Sequence, residues 1–135
     1  MAIPITLLAS SLLGIVFLVI ALRNAAARGR VMAAEKQGEV PPELAAELDH
    51  RLRVVANFSE YVPLLLVLLA ALEMSSLDRL WVTTLAVLLV LGRILHAWGY
   101  TRSRGPGFGR FAGTALTWVT LLAGCALGLY TTLFA

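Results

Sequence analysis

The sequence predicts an all-α membrane protein, a four-helix transmembrane bundle that forms a single domain. Of its 135 residues, 59% are hydrophobic and 14% are charged, and the mean hydropathy is +0.84. A soluble domain carries about 25% charged and about 45–50% apolar residues, so a soluble fold of this composition would leave too much apolar surface in water. Four long apolar runs separate the charged segments, which is the pattern of a multi-pass membrane protein.

The predicted membrane spans follow these runs. No basic residue precedes the first run, which favours a retained span over a cleaved signal peptide. Pro42 predicts a helix that starts well before the second run, because proline is favoured in the first turn, and the i, i+4 pairs Glu47/Arg51 and Asp49/Arg53 support that helix. The predicted spans are residues 2–22, 54–72, 80–100 and 111–134, with loops 23–53 and 101–110 on one side of the membrane.

Basic residues are concentrated on that side. Ten of the eleven lysines and arginines lie in the first and third loops and the adjoining helix ends, and Arg79 alone lies in the second loop. The positive-inside rule therefore places those two loops in the cytoplasm and both termini on the non-cytoplasmic side. The same placement accounts for the net charge of +3 and the pI near 9.6, so the lipid bilayer is expected as a partner and nucleic acid is not.

Residues that commonly carry metal or nucleophilic chemistry are sparse. Cys125 is the single cysteine, which excludes an internal disulfide and a cysteine-based metal cluster. His50 and His96 are far apart in sequence, so no metal site is expected. Gly124 and Gly128 form a G-x-x-x-G pair that permits close helix packing, although this spacing also arises by chance in a glycine-rich chain.

The second span carries a polar face. Arg53, Asn57 and Glu60 are spaced i, i+4, i+7 and share one side of a helix. Only twelve residues, 61–72, then pass before the next charge, which is roughly 18 Å of helix against the ~30 Å of a bilayer core. Part of the polar face must therefore lie at membrane depth, where such groups usually point into protein and serve a function.

The third span carries a matching polar face, with an arginine, a histidine and a tyrosine spaced i, i+3, i+7. The two spans run antiparallel, so their polar faces are expected to meet near the cytoplasmic side. Opposite charges would then match at the deeper level, where an unpaired charge is most costly. The predicted levels, from the deepest outwards, are Glu60 with Arg93, Asn57 with His96, and Arg53 with Tyr100.

Three interpretations of this polar cluster follow from the residues. In a structural one, Glu60 and Arg93 form an ion pair, and the other side chains are satisfied interhelical polar groups. In a functional one, excess arginine attracts a small anionic ligand from the cytoplasm. An ion-conducting or proton-conducting bundle rests only on Glu60 and Arg93. The arginines of the second interpretation are Arg23, Arg53, Arg104 and Arg110.

Two motifs resemble signature segments of the MAPEG superfamily, the membrane-associated proteins in eicosanoid and glutathione metabolism. Length, number of spans and sidedness agree along the whole chain, and the resemblance is to the short bacterial members. The second-span motif is fairly specific, whereas the third-span motif alone is weak. The motifs are Arg53-x3-Asn57-Phe58-Ser59-Glu60-Tyr61-Val62-Pro63 and Gly92-Arg93-x2-His96-x3-Tyr100.

The resemblance implies a homotrimer in the inner membrane, with glutathione bound as a co-substrate on the cytoplasmic side between neighbouring subunits. It implies a glutathione transferase or peroxidase, in which the glutathione thiolate attacks a lipophilic electrophile or hydroperoxide. The alternative is a non-catalytic trimeric membrane protein whose polar cluster is structural or binds a lipid or thiol ligand.

The resemblance also assigns roles to individual residues. Arg23 matches the arginine that closes the first helix and contacts a glutathione carboxylate, and the His96 position is tyrosine in some members. The arginine that stabilises the thiolate lies near the start of the fourth helix, where the Gly/Pro-rich loop leaves Arg110 and Arg104 as candidates. The expected glutathione contacts are Arg23, Arg53, Asn57, Glu60, Tyr61, Arg93, His96 and Tyr100.

Overall fold

A computed structural model of the chain describes residues 2–102 and 107–134, without the side chains of residues 100–102. Within these residues the protein is all-α, as predicted, and each helix is long and apolar enough to cross a membrane. The helices are α1 (Pro4–Glu35), α2 (Pro42–Met74), α3 (Arg79–Arg102) and α4 (Phe108–Phe134).

The first two helices are longer than the spans predicted for them. With 32 and 33 residues, α1 and α2 are each roughly 50 Å long, so both extend past a ~30 Å hydrocarbon core. Pro42 begins α2, as predicted. The turn after α1 includes Gly38 at a φ of +104°, a left-handed conformation that glycine adopts without steric cost.

A salt bridge joins the extended parts of α1 and α2, and two more lie along α2. Arg30 of α1 and Arg51 of α2 each lie 2.7 Å from Glu47 Oε1, and Arg53 lies 3.0 Å from Asp49. The two i, i+4 pairs predicted on α2 are therefore confirmed. We call this end of the bundle, where α1 and α3 end and α2 and α4 begin, the basic end.

The central pair of the bundle is α2 and α3. Each of them packs against the other three helices, whereas α1 and α4 do not contact each other among the described residues. The outer faces of α1 and α4 consequently stay open and are apolar, with Leu8 63% and Leu122 73% exposed. Such faces suit lipid tails or a neighbouring subunit.

Two clusters of buried apolar side chains fill the interior. Because lipid tails are as apolar as leucine, these clusters stabilise the fold through close packing rather than removal from water. The cluster towards the basic end is Leu13, Ile20, Val54, Phe58, Val62, Leu65 and Leu89, and the other is Ala9, Leu69, Leu72, Val82, Leu85 and Ala86.

At the opposite end, α2 caps α1. The N-cap residue of α1, Ile3, makes no side-chain hydrogen bond to the first turn. Glu73 of α2 takes the place of such a cap. Glu73 accepts hydrogen bonds from the backbone N–H groups of Ile5 (2.8 Å) and Thr6 (2.7 Å) and from the Thr6 hydroxyl (2.6 Å). A carboxylate here satisfies two unpaired N–H groups of the first turn and complements the helix dipole; Pro4, the first helical residue, has no N–H to satisfy.

Candidate functional site

Arg93 and Asn57 join the polar faces of α3 and α2. Arg93 is 1% exposed, and its Nη2 donates a hydrogen bond of 3.0 Å to Asn57 Oδ1. Its guanidinium carbon lies 5.2 Å from the centroid of the Phe58 ring, within the range of a cation–π interaction. An amide oxygen and an aromatic face of α2 thus help to stabilise a buried charge at membrane depth.

The expectation that Glu60 lies level with Arg93 is wrong. Arg93 reaches Asn57, about one helical turn nearer the basic end, and Glu60 is exposed. The ion pairs among the described residues leave Glu60 out. The reason is the core periodicity of α2: Phe58 and Val62 are buried, and Glu60 lies two residues from each, on nearly the opposite side of the helix.

A cavity of about 530 Å³ lies beside this hydrogen bond. It brings together three of the predicted site residues, Asn57 from α2, His96 from α3 and Arg110 from α4, and His96 is 3% exposed. The described residues that line it are Asn57, His96, Gly107, Arg110, Phe111, Thr114, Ala115 and Trp118.

The cavity has a positive character. Arg110 lines it, and both Arg110 and Arg93 are close enough to His96 to act on it electrostatically. No aspartate or glutamate is among the described lining residues. A cavity with arginine and without carboxylate favours an anionic ligand. Elsewhere in the described chain, no three potential metal ligands (His, Cys, Asp or Glu) lie together.

The other predicted site residues lie outside this group. Arg53 is exposed and bonds its own helix, and Arg23 is exposed on α1. Tyr61 is half-buried and packs against the apolar cluster near the basic end. The side chain of Tyr100 and the whole of Arg104 lie outside the described residues.

The wall that α4 contributes was missed by the sequence analysis. Phe111, Thr114, Ala115 and Trp118 follow Arg110 at i+1, i+4, i+5 and i+8, the spacing of one helix face. That spacing could have identified them once Arg110 was chosen. Phe111 is 75% and Trp118 56% exposed, so the cavity wall continues onto the apolar outer surface of the subunit.

The chain is similar to a known protein family and to two known proteins. The family model described as the MAPEG family matches residues 1–130. The inner membrane protein YecN of Escherichia coli strain K12 is 30% identical over 77 residues, and so is the protein of the same name from E. coli O6:H1. The matched region covers 57% of this chain and 57% of each relative, less than two thirds of either length.

Proposed function

Because the chain belongs to the MAPEG family, we propose that it binds glutathione and transfers the glutathione thiolate to a lipophilic electrophile or hydroperoxide. We place this activity in the inner membrane, with the basic end in the cytoplasm. The observation that supports the proposal most is that Asn57, His96 and Arg110, from three different helices, line one cavity.

The charge of the cavity suits glutathione, which carries two carboxylates, one amine and a thiol. Arg110 supplies a guanidinium, and arginine binds carboxylates through paired, charge-assisted hydrogen bonds. Asn57 offers an amide to the peptide groups of the ligand while its Oδ1 accepts from Arg93. A volume of about 530 Å³ lies within the usual ~300–1,000 Å³ of small-molecule sites.

The open wall suits a partner that dissolves in the bilayer. Phe111 and Trp118 line the cavity and also reach the outer surface of the subunit. A lipophilic molecule can approach from the hydrocarbon side while glutathione arrives from water. Holding the two together at the membrane edge converts a two-body encounter into a reaction between bound neighbours.

Arg110 is our candidate for the thiolate-stabilising residue. A free thiol has a pKa of about 8.5, and an adjacent positive charge lowers such a value by about 1–3 units. The thiolate sulfur then donates its electron pair to an electrophilic carbon and forms a C–S bond, while a leaving group departs with the electron pair of its bond to that carbon, or a conjugated C=C bond opens and the product takes up a proton. With a hydroperoxide it attacks oxygen and the O–O bond breaks, which releases an alcohol; a second glutathione then yields the disulfide and water.

A homotrimer is part of the proposal, and two exposed residues support it. Arg23 lies on α1, which does not contact α4 within a subunit among the described residues. Glu60 is exposed on α2 at a depth where a charge facing lipid is costly. A neighbouring subunit that covers these surfaces would shelter Glu60 and bring Arg23 to the cavity of its neighbour.

The ultraviolet absorbance of the glutathione thiolate, followed over a pH series, tests the proposal. We expect the wild-type protein to lower the thiol pKa by about 1–3 units and Arg110→Ala to abolish this shift. Arg28→Ala is the control, because Arg28 is exposed near the basic end and is not a proposed ligand contact. An Arg110→Ala protein with the full shift would transfer the role to Arg104, and a wild type without any shift would contradict the transferase.

A non-catalytic role is the second candidate, and one observation favours it. The hydrogen bond from Arg93 uses Asn57, one of the proposed ligand contacts, to stabilise a buried charge. Calorimetry separates the two candidates. A heat of glutathione binding that is present in the wild type and lost in Arg110→Ala supports the transferase. A folded wild-type protein that does not bind glutathione supports the non-catalytic role.

A further inference from the structure

α3 and α4 touch through their backbones beside the cavity. A Cβ atom added to Gly113 would lie 2.5 Å from the backbone nitrogen of His96 and 2.6 Å from the carbonyl oxygen of Gly92. One added to Gly99 would lie 2.6 Å from the backbone nitrogen of Arg110. A Cβ atom in a folded protein essentially never lies that close to a heavy atom to which it is not bonded, so any side chain at these positions forces the two helices apart.

These contacts fall on the cavity residues themselves. Gly113 abuts His96, and Gly99 abuts Arg110. We call the four glycines at this contact, Gly92, Gly99, Gly109 and Gly113, the glycine seam. The G-x-x-x-G pair noted in the sequence faces side chains of α2 instead of backbone. A Cβ on Gly124 would lie 2.9 Å from Leu68 Cδ2, and one on Gly128 would lie 3.8 Å from side-chain atoms of Leu68 and Leu72.

We propose that Gly99 and Gly113 are positioning residues, which set the place of Arg110 relative to His96 on the cavity wall. The proposal rests on the proposed function and adds the means by which the thiolate-stabilising arginine is held. The glycines remove the side-chain layer between α3 and α4, so the first turn of α4 is fixed by backbone contact. A displacement of about 1 Å at a reacting group can cost about 100-fold in rate.

Four alanine variants form a graded series for the test. Gly113→Ala and Gly99→Ala meet backbone at 2.5 and 2.6 Å, whereas a Cβ on Gly92 would meet Leu116 Cβ at 3.0 Å. Gly92→Ala is therefore a milder change at the same seam and keeps the test valid if the other two fail to fold. Gly128→Ala is the matched control on α4.

We expect the seam variants to lose the thiolate pKa shift in the order of their clashes while glutathione affinity, measured by calorimetry, falls less. Turnover in Gly99→Ala should drop about 100-fold, mainly in kcat, and Gly128→Ala should behave as wild type. Melting curves and gel filtration establish that each variant is folded and assembled. A folded Gly99→Ala or Gly113→Ala protein with the wild-type shift and kcat would overturn the proposal.

A second readout does not depend on glutathione. The chain has two histidines, His50 and His96, so the imidazole resonances of labelled protein can be assigned with one variant. We expect Gly113→Ala to move the His96 resonance and Gly128→Ala to leave it. If the wild type shows no shift of the thiol pKa, the proposed function fails, and the His96 resonance alone then tests whether the glycine seam positions the cavity residues. A resonance that moves in Gly113→Ala supports this positioning role, and one that does not move overturns it.

Discussion

Glu73 and Glu60 are carboxylates on the same helix, yet their surroundings differ. Glu73 accepts three hydrogen bonds from the first turn of α1, so its charge is satisfied within the subunit. Glu60 is exposed on the outside of the bundle and is absent from the ion pairs of the described residues. Glu73 completes a contact within its own subunit, whereas Glu60 faces the surroundings of the subunit.

The same contrast separates the two ends of the molecule. At the Glu73 end, apolar side chains and a capped helix end complete the packing. Towards the basic end, Asn57, His96 and Arg110 line a cavity that reaches the outer surface. The polar groups at the Glu73 end therefore complete a contact within the subunit, whereas those towards the basic end line a space that a ligand can enter.

The largest loss of stability is expected from Glu73→Ala. The change removes the acceptor of three hydrogen bonds, and a bond to a charged group contributes about 1.5–3 kcal/mol. Since the donors partly regain other partners, we expect about 3 kcal/mol in total, measured by thermal melting in detergent. Glutathione binding should persist. Glu39→Ala, in the exposed turn between α1 and α2, is the control, and an equal melting temperature for the two variants would contradict the capping role.

Asn57→Ala should destabilise the protein less than Glu73→Ala does, but it should affect both stability and glutathione binding. It removes an acceptor of an Arg93 hydrogen bond, at a cost of about 2 kcal/mol, and it also removes a cavity side chain. We therefore expect a lower melting temperature together with weaker glutathione binding in calorimetry. Unchanged binding in a destabilised protein would leave Asn57 with the structural role alone.

Glu60→Gln is expected to change the stability of a single subunit by less than about 0.5 kcal/mol, as for surface substitutions generally. Pairing with Arg93 would have made this change costly, and the observed contacts remove that reason. The effect should appear instead in assembly, as weaker association in gel filtration or cross-linking. A melting shift as large as that of Asn57→Ala, with normal assembly, would contradict this assignment.

The smallest effect concerns Glu47, in the part of α2 that precedes the predicted span. Hydrogen bonds from Arg51 and then Arg30 hold the pKa of Glu47 below its ordinary value of 4.5. The carboxylate therefore adds stability above that ordinary value, and this contribution is lost as the pH falls through the lower, folded-state pKa. Melting curves of wild type and Glu47→Gln should differ by about 0.5 kcal/mol near neutral pH and converge in acid. A constant difference would contradict the ion pairs.

Periodicity and composition predicted the number of helices, the start of α2 at Pro42 and the meeting of Asn57 with α3. They failed on the partner of Arg93, because the spacing of the polar residues did not show that Phe58 and Val62 would face the core and leave Glu60 on the outside. They also missed the Glu73 cap. That contact joins residues 67 positions apart, and no local pattern signals it.

The parts of α1 and α2 that extend beyond the bilayer form a stalk that ends in the turn around Gly38. Arg30 and Glu47 brace it, and no described residue of the cavity lies on it. A protease site or epitope inserted at this turn would leave the core intact and report which compartment the stalk enters. The turn around Gly38 is therefore a suitable site for determining the orientation of the protein in the membrane.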